Sequence, residues 1–437
     1  MTALLFSRRR PALAALLTFG LALATLALIQ RGSGPISSSG SSPVLRVDPR
    51  PAGSTEERIA RLQDAVRAAP ERADLGAALA SAYLQRARET GDPGYYTRAG
   101  ALLERATARD PRNAQVALGR ATLALARHDF RGGLELAWRA RALAPGALAS
   151  YPAIVDALVE LGRYRAAERE LQRFVDAKPT LPAYARVSYL RELRGDLDDA
   201  AGAMARAVTA GAAAPENVAY VQTLLADLER ARGNSAAAQQ AYADALAALP
   251  GYVPARAGRA RLAAQRGDLT AAARLWRAVV ARRPLPEYVI ALGEVELAAG
   301  RGAAARRDLA LVRAQQRLLR GAGVNVDVEF ALFEADHGSA ARAVELARRA
   351  WAAAPSVRSA DALGWALARS GRPDAALRWA RRALRLGSLD PGFRFHAGMT
   401  AIAAGRSAEG RRHLALALRR GLTAFPWQAA RAKAALR

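Results

Sequence analysis

At 437 residues the chain is longer than one ordinary hydrophobic core supports, so it must form either several globular domains or one elongated array. Alanine, leucine and arginine dominate, aromatics are 6%, and no stretch clusters the valine, isoleucine and threonine that strands need, which leaves an all-α chain. The formal net charge is +26 and there is no cysteine, which excludes disulfides, thiolate metal sites, haem attachment and lipid modification of a cysteine.

In chain order, Arg8, Arg9 and Arg10 precede an uncharged apolar run of 19 residues, Pro11 to Ile29. A spanning helix needs roughly 17 to 25 such residues, and a cleaved signal usually has a shorter core followed by small residues. Leu28, Ile29, Gln30 and Arg31 stand there instead, so residues 1–30 read as a signal anchor in preference to a cleaved signal peptide. Arginines stay on the cytoplasmic side, which would place the remaining chain outside the cytoplasm, membrane-anchored, or secreted if the segment were cut. Residues 31–55 are rich in Gly, Ser and Pro and read as a flexible linker. Ser54 or Thr55 is the expected cap of the first helix, carrying Glu56, Glu57, Ile59, Leu62 and Val66, with folded structure over 56–437.

A glycine series then organises the chain: Gly162, Gly195, Gly233, Gly267, Gly300, Gly338, Gly371 and Gly405, spaced 33, 38, 34, 33, 38, 33 and 34 residues apart. Five, nine and twelve residues after each glycine stand small or apolar side chains, as at Ala167, Leu171 and Phe174 or Ala272, Trp276 and Val279. Steps of four and three line one helix face, so each unit has a second helix with a buried stripe. Pro179, Pro250, Pro284 and Pro355 end that helix, and the glycine ends the first, where a left-handed backbone suits it. Eight and seven residues before the glycine a large residue precedes a small one, as in Leu292 with Gly293 and Leu363 with Gly364. Going backwards, His128 takes the glycine's place in one unit, and an earlier unit has an insertion at Gly91, Asp92, Pro93 and Gly94.

This pattern resembles the tetratricopeptide repeat, a 34-residue helix-turn-helix. The resemblance covers about Glu71 to Leu422 and implies ten stacked units in a right-handed superhelix (solenoid), with Thr423 to Arg437 covering the last apolar face. It also implies a concave groove lined by first helices, with the position six before the turn glycine facing in. That position is held by Asp156, Tyr189, Asp227, Arg261, Glu294, Leu332, Trp365 and Met399. Of these, Asp156, Tyr189, Asp227, Arg261, Glu294 and Trp365 are the candidate partner-binding residues, with Tyr189 and Trp365 either binding anchors or packed between units. No rung is asparagine, so the family's grip on a terminal carboxylate is not implied.

Catalytic chemistry is not evident. His128, His337, His396 and His413 lack metal-ligand spacing, no Walker loop or GxSxG occurs, and no cofactor, metal or catalytic set is expected. Three readings of function stand side by side. The chain is a membrane-tethered scaffold binding an extended segment of an envelope protein in its groove; or it adheres to anionic polymer, lipid headgroup or nucleic acid through its arginines; or it is a non-catalytic subunit of an envelope enzyme or secretion complex. Nucleic acid is disfavoured by the expected topology. Codon bias is the preferred account of the arginines, since lysine occurs only at Lys178 and Lys433 and the basic residues are spread along the whole chain.

Overall fold

The computed structural model describes residues 54–211 and 215–437. The apolar run of residues 11–29 and the linker as far as residue 53 lie outside them, and with them the expected membrane anchor. No helix among the described residues is long and apolar enough to cross a membrane.

Helix α1 (Thr55–Ala68) opens the fold, capped by Ser54 with Glu57 reciprocating, so the expected cap is present. Ten helical hairpins follow: α2 (Ala73–Thr90) with α3 (Gly94–Arg109), α4 (Ala114–Ala126) with α5 (Phe130–Leu143), α6 (Tyr151–Glu160) with α7 (Tyr164–Ala177), and α8 (Leu181–Leu193) with α9 (Leu197–Thr209). Next come α10 (Pro215–Ala231) with α11 (Ser235–Ala248), α12 (Val253–Gln265) with α13 (Leu269–Arg282), and α14 (Pro286–Ala298) with α15 (Gly302–Gly321). The last are α16 (Asp327–His337) with α17 (Ala340–Ala353), α18 (Val357–Arg369) with α19 (Pro373–Ala383), and α20 (Pro391–Ala403) with α21 (Ser407–Arg419), before the terminal α22 (Pro426–Leu436). No strand occurs among the described residues. The array is a tetratricopeptide-like solenoid, all-α as the sequence predicts.

The stripes fall where the spacing puts them: Ala167, Leu171 and Phe174, and likewise Ala272, Trp276 and Val279, are buried. Of the turn glycines, Gly162, Gly195, Gly233, Gly267, Gly300, Gly371 and Gly405 have φ between 69° and 87°. Gly338 does not; its φ is −144°. It is needed for space, because a side chain there would collide with the Glu334 carboxylate, which accepts a hydrogen bond from the Ser339 amide. His128, the one glycine substitute, does adopt φ 60°. Histidine is among the side chains that tolerate this region better than most.

The array winds until its second half lies on its first. The turn inside each of the first four hairpins meets the loop that follows the hairpin five places later, and in the fifth the end of α10 does. Gly91 meets Arg283 and Leu285; the His128 ring nitrogen lies 2.6 Å from the Asn325 carbonyl oxygen; and the Tyr164 hydroxyl accepts from the Val357 amide at 2.9 Å. Gly195 meets Gly387, and Gly421 approaches Arg230. A methyl group on Gly162 would sit 2.3 Å from the Pro355 carbonyl oxygen, whereas one on Gly267, Gly300, Gly371 or Gly405 would meet nothing within 4 Å. The two coils approach backbone to backbone at Gly162 with Pro355 and at Gly195 with Gly387.

Helix α22 packs on two parts of the array. It covers the end of the array at α20 and α21, but it also lies on α14. Trp427 packs on the His337 ring at 4.8 Å and Gln428 donates to Glu294 at 3.2 Å. Winding brings the C-terminus onto the first helix of the seventh hairpin as well.

Candidate functional site

All six candidate rung residues are buried. Asp156 accepts two hydrogen bonds from the Arg186 guanidinium, 2.8 Å from Nε and 2.6 Å from Nη2, and Arg186 also donates to the Pro182 carbonyl. Burial raises the Asp156 pKa while Arg186 draws it down. Asp227 accepts from the Tyr242 hydroxyl at 2.6 Å and lies 3.6 Å from Arg230. Arg261 stands over the Trp276 ring at 5.3 Å.

Glu294 is bonded to His337 at 3.0 Å besides Gln428, and burial raises its pKa. Trp365 donates to Asp336 at 3.0 Å and stacks on His396, whose ring is bonded to Asp361 at 2.8 Å. Burial pushes the Tyr189 hydroxyl well above its ordinary pKa. The Trp365 indole is enclosed between hairpins, with Asp336 on one side and His396 on the other. Asp156, Glu294 and Trp365 thus tie one hairpin to the next, whereas Asp227 and Arg261 are paired within their own, and a buried, paired charge is costly to separate from its partner.

Inside the winding lies a partly open chamber of about 730 Å³. Its wall comes from first helices of both coils, chiefly α2, α4, α10, α12, α14 and α16, and Ser54 to Glu56 stand at its edge. Two rungs, Asp227 and Arg261, belong to this wall. Tyr96, Tyr220, Tyr252 and Tyr288 supply aromatic surface, with Leu84, Leu125 and Phe330 beside them. Burial raises the pKa of all four tyrosines, Tyr288 to about 12, so they remain neutral donors.

Charge in the wall is of both signs. Burial raises the carboxyl pKa of Glu216 and Glu287 and lowers that of Arg88. Three buried donors of the wall, Arg88 Nη1, Arg283 Nε and the Tyr220 hydroxyl, and one acceptor, Glu329 Oε2, make no hydrogen bond among the described residues. Polar groups buried without partners are uncommon in folded proteins, and where they gather in a chamber they provide anchoring points for an occupant. No group of three or more His, Asp or Glu side chains among the described residues is placed to hold a metal ion.

Sequence reasoning missed these wall residues. The rung rule selects one side chain per hairpin, whereas Tyr220, Tyr252 and Tyr288 stand twelve to fifteen residues before their turn glycines. That recurrence of tyrosine early in the first helix was the available signal. Arg283 had none, being a loop residue brought inward by contact between coils.

No family model and no curated protein matches the chain. Among solved structures it is similar to the human IFIT1 dimer with m7Gppp-AAAA, at 15% identity over 76% of this chain and 77% of that one, TM-score 0.48. It is also similar to TTC0263, a thermophilic TPR protein of Thermus thermophilus, at 23% identity over 40% of this chain and 95% of that one, TM-score 0.35. A third likeness is to the APC/C hetero-tetramer Cut9-Hcn1, at 14% identity over 88% of this chain and 93% of that one, TM-score 0.32.

Proposed function

We propose that this chain is a membrane-tethered scaffold that receives a segment of a protein partner in its interior chamber. The observation that carries the reading is the chamber itself, with aromatic walls and three buried donors that lack acceptors. An extended backbone brings carbonyl oxygens to such donors, and tyrosine surfaces are effective anchors for apolar side chains. The tether is the apolar run of residues 11–29, which puts the solenoid on the extracytoplasmic side. Alkaline phosphatase fused after Arg437 is expected to be active only if that topology holds.

A second reading, a small-molecule ligand, is favoured by the chamber's volume, which lies within the roughly 300 to 1,000 Å³ usual for such sites. One experiment separates the two. Full-length wild type, Ala126→Trp, which fills the chamber from α4, and Ala236→Trp on the exposed face of α11 are purified from membranes and compared by native mass spectrometry. A stoichiometric protein retained by wild type and Ala236→Trp but lost from Ala126→Trp supports the scaffold. Loss of a bound small molecule supports the second reading, and equal retention by all three removes the chamber as the site.

A further inference from the structure

We propose that the outer face of α15 rests on an anionic lipid surface, giving the solenoid a membrane contact independent of both the chamber and residues 1–30. At 20 residues α15 is the longest described helix; its counterparts α13 and α17 have 14 each. The extra length is the physical form of the 38-residue interval between Gly300 and Gly338.

Leu311 and Leu318 are 54% and 67% exposed, and with Trp138 they are the large apolar side chains left exposed among the described residues. Seven residues is two helical turns, so both leucines stand on one line along α15, with Val312 and Gln316 on the buried side. Arg306, Arg307 and Arg317 are exposed on one side of that line, Arg307 within about 40° of it around the helix and Arg306 and Arg317 about a third of a turn away, and have no ion-pair partner among the described residues. The helix's other arginines are engaged with its neighbours: Arg313 with Glu334, and Arg320 with Asp327, which Arg349 shares. The one acidic residue of α15, Asp308, is only partly exposed.

A row of two leucines is too narrow for a stable protein interface, which needs roughly 1,000 Å² or more. It is the right width for a helix lying in the plane of a bilayer, its apolar line at the acyl boundary and its arginines at the headgroups. Long arginine stems reach back to the phosphates while their methylenes cover apolar surface. The charge complementarity selects anionic lipid, since zwitterionic headgroups offer no net attraction to the three free guanidinium groups.

The absence of cysteine makes the test position-specific. Full-length chains carrying Leu318→Cys, Leu311→Cys or the control Ala236→Cys are labelled with a polarity-sensitive fluorophore. They are then mixed with vesicles of pure phosphatidylcholine or of equimolar phosphatidylcholine and phosphatidylglycerol. The expected result is a blue shift at Leu318→Cys and Leu311→Cys on the anionic vesicles alone, absent at Ala236→Cys. Adding Arg306→Gln, Arg307→Gln and Arg317→Gln raises the lipid concentration at half-shift about a hundredfold, roughly fivefold for each arginine. Three results overturn the proposal: vesicle-bound chain with both leucine positions still in water, an equal shift on both vesicle types, or a shift that follows protein concentration without lipid, which assigns the face to a second copy. All exchanged residues are exposed, and an unchanged circular-dichroism melt is expected for every variant.

Discussion

Replacing Gly162 and Gly371 separately by alanine isolates the contact between coils. Both have left-handed backbones, φ 69° and 77°, so both substitutions incur the penalty of about 1–2 kcal/mol that an L side chain meets there. They differ in surroundings: the new methyl on residue 371 meets nothing within 4 Å, but on residue 162 it lies 2.3 Å from the Pro355 carbonyl oxygen. That approach is about 1 Å inside van der Waals contact. The backbone of the α17–α18 loop must withdraw, and the Tyr164 to Val357 hydrogen bond, worth about 1 kcal/mol, goes with it. Gly371→Ala should therefore be destabilised by about 1–2 kcal/mol, and Gly162→Ala by at least ~3 kcal/mol.

Solenoid arrays unfold in parts, so the sensitive assay is native-state hydrogen exchange, read at the Val357 amide and at the stripe of α19. In Gly162→Ala the Val357 amide should lose protection while α19 keeps its own. Equal effects of the two substitutions, or an unchanged Val357 amide, would falsify the claim that the coils are in load-sharing contact.

Asp156→Ala leaves the buried Arg186 guanidinium without its carboxylate and should cost about 3–5 kcal/mol by urea denaturation, most of it restored when Arg186 is also replaced by Met. His396 is opposed by burial but held above its ordinary pKa of 6.5 by Asp361. A raised folded-state pKa stabilises fully below 6.5 and ceases to do so as pH rises through the raised value. The melting temperature should accordingly fall as pH climbs above 6.5, with the slope flattened in His396→Gln. Tyr220→Phe removes a hydroxyl that has no partner among the described residues, so the thermal midpoint should stay or rise; a loss above ~1 kcal/mol would show that the hydroxyl is bonded.

The hairpins were legible because their determinants are local. A glycine with positive φ, a proline two residues beyond a helix end and a stripe at steps of four and three each act within one hairpin. The same locality explains the two exceptions. His128 occupies a glycine's conformation, and Gly338, in step with the series, serves to leave room for Glu334. The rung positions were legible only as inward-facing. Their partners, Arg186 for Asp156 and His337 for Glu294, come from the next hairpin, and nothing in either helix alone names them.

The sequence by itself determined an all-α array of ten hairpins, the turn inside most of them, and which face of each second helix is buried. Tertiary structure alone decided how tightly the array winds, and therefore that the inner surface lines a partly open chamber. The physical reason is accumulation: a small rotation between neighbouring hairpins, set by side-chain packing, adds up over five of them until Gly162 reaches Pro355 and Arg283 turns inward.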